Sequence, residues 1–404
     1  MSNDLPILVS NAGSSSLKIT VFTGERVTLR AKVERTNQVV GDNHFWIVGQ
    51  DEQEIMHGTL PTSGGTTLLQ VVLDTLAKRL PGKRIAAVGH RVVHGGEQFT
   101  SPVRVTPAVL SALDALVPLA PLHQPHNLAE IRAVTSLLPG VLQVACFDTA
   151  FHSTMPKNER LLGLPREYFD RGVMRYGFHG LSYESIAGRL PGIDPVAAVG
   201  RTVVCHLGSG ASLCALLAGG SVATTMSFTP LDGLLMSTRA GAIDAGVVLY
   251  LLRNERLTLD QVERLLDRES GLLGVSGISS DVRDLLTSTA LEAAEAVDLF
   301  CYRVAREIGA MVAALEGLDA IVFTGGIGEN SPEIRDRVCH RLKWLGVQLN
   351  HAANGAGNTV LSDEGSRVSI FRVPSDEEAV IARHAASALT DVPVHSTSGY
   401  WGAS

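Results

Sequence analysis

Five side chains able to hold a charged oxygen stand in loop-like segments of this 404-residue chain. Arg91 lies in Gly89-His90-Arg91-Val92-Val93-His94-Gly95-Gly96, and Arg239 in Ser237-Thr238-Arg239-Ala240-Gly241. His123 sits between prolines in Pro121-Leu122-His123-Gln124-Pro125, and His179 between glycines in Gly177-Phe178-His179-Gly180. Asp148 follows the apolar run Gln143–Phe147. Taken singly, each is more often a structural loop residue than a catalytic one. Together, two guanidiniums, two imidazoles and a carboxylate describe a site that stabilises a multiply charged oxyanion. His90 and His94 have the spacing of a zinc-binding helix, but no Glu lies between them, so satisfied loop histidines are expected.

Three glycine-rich segments add a place for phosphate. Asp319 to Phe323 reads as a buried strand; Gly325-Gly326-Ile327-Gly328-Glu329-Asn330 then turns into a helix capped by Ser331 with Pro332 first. A strand, a bare backbone and a helix N-terminus make a seat for a nucleotide or an anion. Ile7–Asn11 leads through Ala12-Gly13-Ser14-Ser15-Ser16 into Leu17–Phe22, and Val203–Leu207 leads through Gly208-Ser209-Gly210-Ala211-Ser212 into Leu213–Leu217. Both read as hairpins whose tips expose N–H groups and hydroxyls, and their repetition predicts a duplicated fold that grips phosphate from two sides. No Walker A sequence is present and neither glycine pair completes G-x-G-x-x-G, which excludes a P-loop protein and disfavours a dinucleotide fold.

The elements that must carry these residues follow from periodicity. Strands are expected at 7–11, 17–22, 85–89 and 143–147, and helices near 67–79, 107–117, 244–253, 258–268 and 289–315. Residues 165–185 read as a crossover with site loops, 354–358 as a loop, and 376–388 as a last helix returning to the first domain. The chain length fits two domains with a cleft between them. A net charge of −7 without a basic stripe argues against nucleic acid. Five scattered cysteines without C-x-x-C predict free thiols in a reducing cytoplasm. No signal peptide and no membrane-length apolar run are read, so no membrane partner is expected.

The order of these motifs resembles the acetate kinases, the acetokinase family of short-chain carboxylate kinases within the actin, sugar kinase and heat-shock 70 superfamily. The resemblance is carried by Asn11–Lys18, His90–Gly96, Leu119–His123, Phe147–His152, Tyr176–Gly180, His206–Ser212, Thr229–Asp244, Ser276–Arg283, Gly325–Pro332 and Ser375–Glu378. It implies an α/β fold of two duplicated actin-like, ribonuclease H-like domains: residues 1–150 with 380–404, and a nucleotide-binding domain at 151–379. It implies ATP as co-substrate and magnesium, or manganese, held by Asn11 and Glu377. Lys18 and His206, Leu207, Gly208, Ser209 and Gly210 correspond to ATP-phosphate contacts. Asp281, Val282 and Arg283, with Gly326, Ile327, Gly328, Glu329 and Asn330, correspond to adenosine contacts. Arg91 and Arg239 flank the carboxylate and the moving phosphoryl group, His179 stabilises the transition state, and His123 is a second donor. Asp148 matches the residue assigned as proton donor or acceptor. Val93, Leu122, Phe178 and Pro230 match the pocket for the acyl methyl. A homodimer is also implied.

The chain departs from that pattern at Ser209, Leu181, Tyr183, Gln124, His126, Ala242 and Ala245, none of them a named catalytic position. The expected reaction is in-line transfer of the ATP γ-phosphoryl to acetate, by positioning and charge stabilisation. A carboxyl with a pKa of about 4 is already ionised at neutral pH, so Asp148 is expected to orient Arg91 or a metal-bound water. Propionate kinase is the alternative, and Val93 narrows the pocket against it. An actin- or chaperone-like ATPase switch has no use for Arg91, Val93 and Arg239 together.

Overall fold

The computed structural model describes residues 5–12, 16–34, 43–60 and 67–390. The first hairpin tip, Gly13–Ser15, and residues 391–404 of the expected first domain lie outside them.

Two sheets organise the chain. The first contains β1 (Pro6–Ala12), β2 (Ser16–Thr23), β3 (Arg26–Glu34), β4 (Asn43–Gly49), β5 (Glu54–Leu60), β6 (Ala87–Val92), β7 (Val103–Arg104) and β8 (Leu142–Phe147). Its spatial order is β5-β4-β3-β2-β1-β6-β8-β7. The second contains β9 (Arg201–Leu207), β10 (Ala211–Leu217), β11 (Gly220–Thr224), β12 (Ala320–Thr324) and β13 (Ser369–Arg372), in the order β11-β10-β9-β12-β13. The duplication expected from the hairpins is visible in the pairing. β1 runs antiparallel to β2 and parallel to β6, and β6 runs parallel to β8. β9 runs antiparallel to β10 and parallel to β12, and β12 runs parallel to β13. Every residue of β1 and of β12 is buried, as parallel central strands covered on both faces require.

Helices cover both faces of each sheet. The helix Leu68–Arg79, started by a Thr67 capping box, sets Leu69, Val72 and Leu76 against Ile19, Val21 and Leu29. Each such side chain contributes roughly 1.5–3 kcal/mol by leaving water. On the opposite face, the last helix, Glu377–Thr390, packs Val380, Ile381 and Ala385 on Ile7, Val9 and Val144. It therefore returns to the first sheet, as its apolar spacing suggested. The second sheet is covered by Leu291–Leu315 on one side and Gly180–Ile193 on the other.

Three local expectations change. The glycine turn after β12 is itself a helical turn, Gly325–Asn330, and Ser331 ends it while capping Pro332–Arg341. Residues 354–358 are not a plain loop, because a helix runs through His351–Ala356, capped by the Asn350 side chain on the Ala353 amide. Buried Arg335 donates to Asn354 Oδ1 at 2.7 Å, and this tertiary bond outweighs the poor helix propensity of Gly355. Within 165–185, Arg166–Asp170 is a short helix and a second helix starts at Gly180, so the site loop is confined to the residues between.

Candidate active site

β6 and β8 run side by side, with Arg91 opposite Cys146, so Arg91 and Asp148 emerge at neighbouring strand ends. Arg91 Nε donates to Asp148 Oδ1 and Oδ2 at 3.1 Å each, and Nη2 donates to Oδ2 at 2.6 Å. Asp148 is only 1% exposed. Burial alone would lower the Arg91 guanidinium, but the Asp148 and Glu377 carboxylates outweigh it and hold Arg91 above its ordinary value. Burial, the largest influence, pushes the Asp148 carboxyl above its ordinary value against the downward pull of Arg91, whose charge-assisted bonds favour the carboxylate. Arg91 Nη1 also donates to Asn11 Oδ1 at 3.3 Å, and Asn11 Nδ2 meets Glu377 Oε2 at 3.4 Å.

His179 is held on a backbone corner. Its φ of 58° lies in the left-handed region, which costs a non-glycine residue energy and draws attention to function. Three contacts enforce the corner. Gly180 N donates to Asp148 O at 2.9 Å, so closely that a Cβ at Gly180 would lie 2.2 Å from that oxygen. His152 Nε2 donates to Phe178 O at 2.9 Å, which leaves its Nδ1 to accept from Ser221 at 2.8 Å. His179 Nδ1 lies 2.8 Å from Ser212 Oγ. The His179 ring stacks on His206 with centroids 4.3 Å apart, and His206 Nδ1 in turn pairs with Ser182 Oγ at 2.8 Å. Burial, then His206, Arg91 and Arg239, push His179 well below the ordinary imidazole range, so it is neutral at pH 7.

The second hairpin closes the site from the other sheet. A Cβ at Gly210 would stand 3.3 Å from His179 Nε2 and 3.7 Å from Arg239 Nη2. The missing side chain leaves that space open between two donors. Arg239 Nη1 donates to Pro230 O at 2.8 Å, and Nε faces Asp267 at 3.6 Å. Burial lowers the Arg239 guanidinium, with Asp267 acting against it. From this point a cleft of about 860 Å³ runs between the hairpin tip at Gly208 and Ser209, the helical turn at Gly326, Ile327 and Asn330, and the segment Asp281-Val282-Arg283. Leu122, His123 and Arg239 line its other end. Burial, then Arg239 and Arg91, lower His123 to about 4. A cavity of this volume, lined by the glycines Gly208 and Gly326 and by polar groups from three segments, is large enough for a nucleotide.

A model of the acetokinase family matches residues 6–383. The chain belongs to the acetokinase family. It is 51% identical over 389 residues to the acetate kinase of Rhodopseudomonas palustris strain TIE-1, covering 94% of this chain and 97% of that one. With the acetate kinase of Methylocella silvestris it shares 44% over 400 residues, covering 95% and 98%. Among solved structures, Porphyromonas gingivalis acetate kinase superimposes with a TM-score of 0.85 at 35% identity, covering 95% of this chain and 100% of that one. A propionate kinase from Francisella tularensis gives 0.88 at 32% identity, covering 94% and 98%. Membership makes the chain a kinase, and the two-sheet architecture is the actin-like fold of these neighbours.

Not every residue singled out for this acetokinase reaches the cleft. Leu207 and Gly328 are buried behind it, and His206 lies under His179. Glu329 turns inward, where Oε1 accepts from Gly325 N at 2.9 Å and Ser375 N at 3.1 Å, bracing the turn after β12. Lys18 sits opposite Asn11 on β2, one strand farther from Arg91. There it lines a separate cavity of about 630 Å³ with Arg30, Trp46, Arg189 and Glu378, not the nucleotide cleft. Val93 and Phe178 share one buried apolar cluster, while Leu122 lies on the cleft wall and Pro230 is held by Arg239. His90, in β6 rather than a loop, pairs through Nε2 with Gln143 at 2.8 Å, and His94 Nδ1 accepts from Gly96 N at 2.9 Å. His90 Nδ1 and His94 Nε2 are buried without a hydrogen-bond partner among the described residues, so neither ring is fully satisfied, contrary to expectation. Sequence reasoning read Ser212 only as part of an exposed hairpin tip, whereas it is fully buried against His179, and gave no role to Ser182 or Asp267. Their signal is spatial, because each acts on a site residue at least 24 positions away.

Among the described residues, no group of three or more His, Cys, Asp or Glu is placed to hold a metal. The Asn11 amide oxygen and the Glu377 carboxylate are hard donors suited to magnesium. Asn11 Oδ1 accepts from Arg91 Nη1 and Nδ2 faces Glu377, so the ion would take the carboxylate directly and the amide oxygen only in place of the guanidinium.

Proposed function

We propose that this protein catalyses reversible, magnesium-dependent transfer of the ATP γ-phosphoryl to acetate, giving acetyl phosphate and ADP. The observation that carries this reading is the meeting of His179 Nε2 and Arg239 Nη2 around the side-chain-free Gly210, beside a cleft that Arg239 itself lines. Adenosine lies against Asp281–Arg283 and Gly326, Ile327 and Asn330, and its phosphates follow Gly208–Gly210. Acetate presents its carboxylate to Arg91 and its methyl to Val93, Leu122, Phe178 and Pro230. The carboxylate oxygen attacks phosphorus in line as the bond to the β-phosphate oxygen breaks. Charge on the equatorial oxygens is met by Arg91, Arg239 and neutral His179, with His123 beside them. Asn11 and Glu377 would hold magnesium, which when bound supplies charge neutralisation on the phosphates. Asp148 orients Arg91, because its carboxylate is already occupied by the guanidinium and the nucleophile needs no base.

The division into residues 1–150 with 380–404 and 151–379 accompanies this reading, as one lobe around each sheet. A homodimer in the cytoplasm does too. The helix Ala245–Arg253 has no buried residue, with Leu249 48% and Tyr250 51% exposed, an apolar face that a second copy would cover. The five cysteines are free and buried, consistent with a reducing compartment.

Trapping acyl phosphate with hydroxylamine, with formate, acetate, propionate and butyrate as acceptors, tests the proposal. Acetyl hydroxamate formed in proportion to ADP supports it, whereas ATP hydrolysis without acyl product points to an ATPase switch. Propionate is the second reading, favoured by the likeness to the Francisella tularensis propionate kinase. Val93, 4% exposed beside Phe178, is the residue expected to decide between them. One methylene in an apolar pocket is worth about 1–3 kcal/mol, so acetate should be preferred by roughly 10–200-fold in kcat/KM. Val93→Ala should reduce that preference while leaving the KM for ATP unchanged. An unchanged ratio, or a parent enzyme that already prefers propionate, removes Val93 as the gatekeeper.

A further inference from the structure

Tyr183 is fully buried, and its hydroxyl makes a short hydrogen bond to Ser212 Oγ, which lies 2.8 Å from His179 Nδ1. The direction of the protons along this chain can be worked out. Suppose His179 carried its proton on Nδ1. Nδ1 would then donate to Ser212, which would either donate to the phenol oxygen or accept from it as well, so the Tyr183 proton or the Ser212 proton would need an acceptor elsewhere. None is within hydrogen-bond reach among the described residues. Tyr183 packs in an apolar cluster with Ile186, Val204, Cys214 and Val322, and both nitrogens of neighbouring His152 are engaged by Ser221 and Phe178. A buried donor left without an acceptor is unfavourable. In the opposite sense every group is satisfied: Tyr183 donates to Ser212, and Ser212 donates to His179 Nδ1.

We infer that Ser212, oriented by Tyr183, is a positioning residue that holds His179 in the tautomer protonated on Nε2. The neutral imidazole then presents a fixed N–H donor to the space beside Gly210 and Arg239 Nη2. A neutral donor meets transition-state charge without first having to gain a proton beside two guanidiniums. Burial keeps the phenol far above its ordinary titration range, so the relay persists at working pH. What that donor meets rests on the phosphoryl-transfer reading, but the tautomer itself does not.

The test is the ring-nitrogen spectrum of isotope-labelled histidine in the substrate-free protein, with the His179 signals assigned by their loss in His179→Gln. The parent should show protonated Nε2 and unprotonated Nδ1, Ser212→Ala should show a mixture of tautomers, and Tyr183→Phe should keep the parent tautomer. Kinetically, Ser212→Ala should lower kcat about tenfold, the scale of one lost hydrogen bond. KM for ATP and acetate should stay within about twofold. In that background Tyr183→Phe should cost nothing more. A parent protonated on Nδ1, a pure Nε2 tautomer retained in Ser212→Ala, or a further loss in the double variant would each overturn the relay. The parent spectrum decides the tautomer even if the variants fail to fold or acetate proves not to be the acceptor.

Discussion

Arg239→Ala should lower kcat by about two to three powers of ten, the cost of losing one preorganised donor to a developing oxyanion. The expectation comes from where Arg239 ends: Nη2 faces the gap at Gly210 from one side and His179 Nε2 from the other. Its remaining contacts, Pro230 O, Met236 Sδ and Asp267, hold the guanidinium in place, and none of them is a group assigned to the nucleotide. ATP affinity, read by calorimetry with a non-hydrolysable analogue, should therefore barely change. Arg239→Lys should recover little, because a single ammonium cannot bond Pro230 O and also present a second donor in a fixed plane. Arg91→Ala should lose kcat on the same scale and also lose stability. It leaves the Asp148 carboxylate buried without its partner, which costs about 3–5 kcal/mol. A variant of either arginine that folds and keeps near-normal kcat would remove that residue from the transition state.

Asp148→Asn should be slow at every pH, with kcat down by about two powers of ten and the shape of the pH–rate profile retained. The amide can accept one bond from Arg91 but turns an N–H toward the second, so the guanidinium loses its fixed plane. Displacement of a positioned group by about 1 Å is enough for a loss of that size. Were Asp148 a general base, the parent profile would carry a limb from its titration and the variant would lack it. That difference between the two profiles is the result that would restore a proton-transfer role.

Much of the site is legible in the amino-acid order because it rests on local rules. Ser331-Pro332 announces a helix start, and the matched runs around Gly208–Gly210 and Ala12–Ser16 announce two hairpins. Short segments express these preferences without help, since turn geometry and strand alternation depend on neighbours within a few residues. The residue types at Arg91, Asp148, His123, His179 and Arg239 likewise announce oxyanion chemistry. The helix His351–Ala356 shows where that logic fails: Asn350 caps it, and Arg335, 19 residues from Asn354, holds it in place.

By itself the sequence determined the duplicated α/β plan, the two small-residue hairpins and which arginine, histidine and aspartate side chains are candidates for the site. Only the tertiary structure decided what each one touches. It joined Arg91 to Asp148 across 57 residues and Asn11 to Glu377 across 366. It turned Glu329 inward as a brace, took Lys18 away from the cleft, and placed Ser212 and Tyr183 behind His179. The physical reason is that propensity and turn chemistry act over a few residues. A buried hydrogen bond instead depends on which strands lie side by side, and that is settled only when both sheets and their covering helices pack.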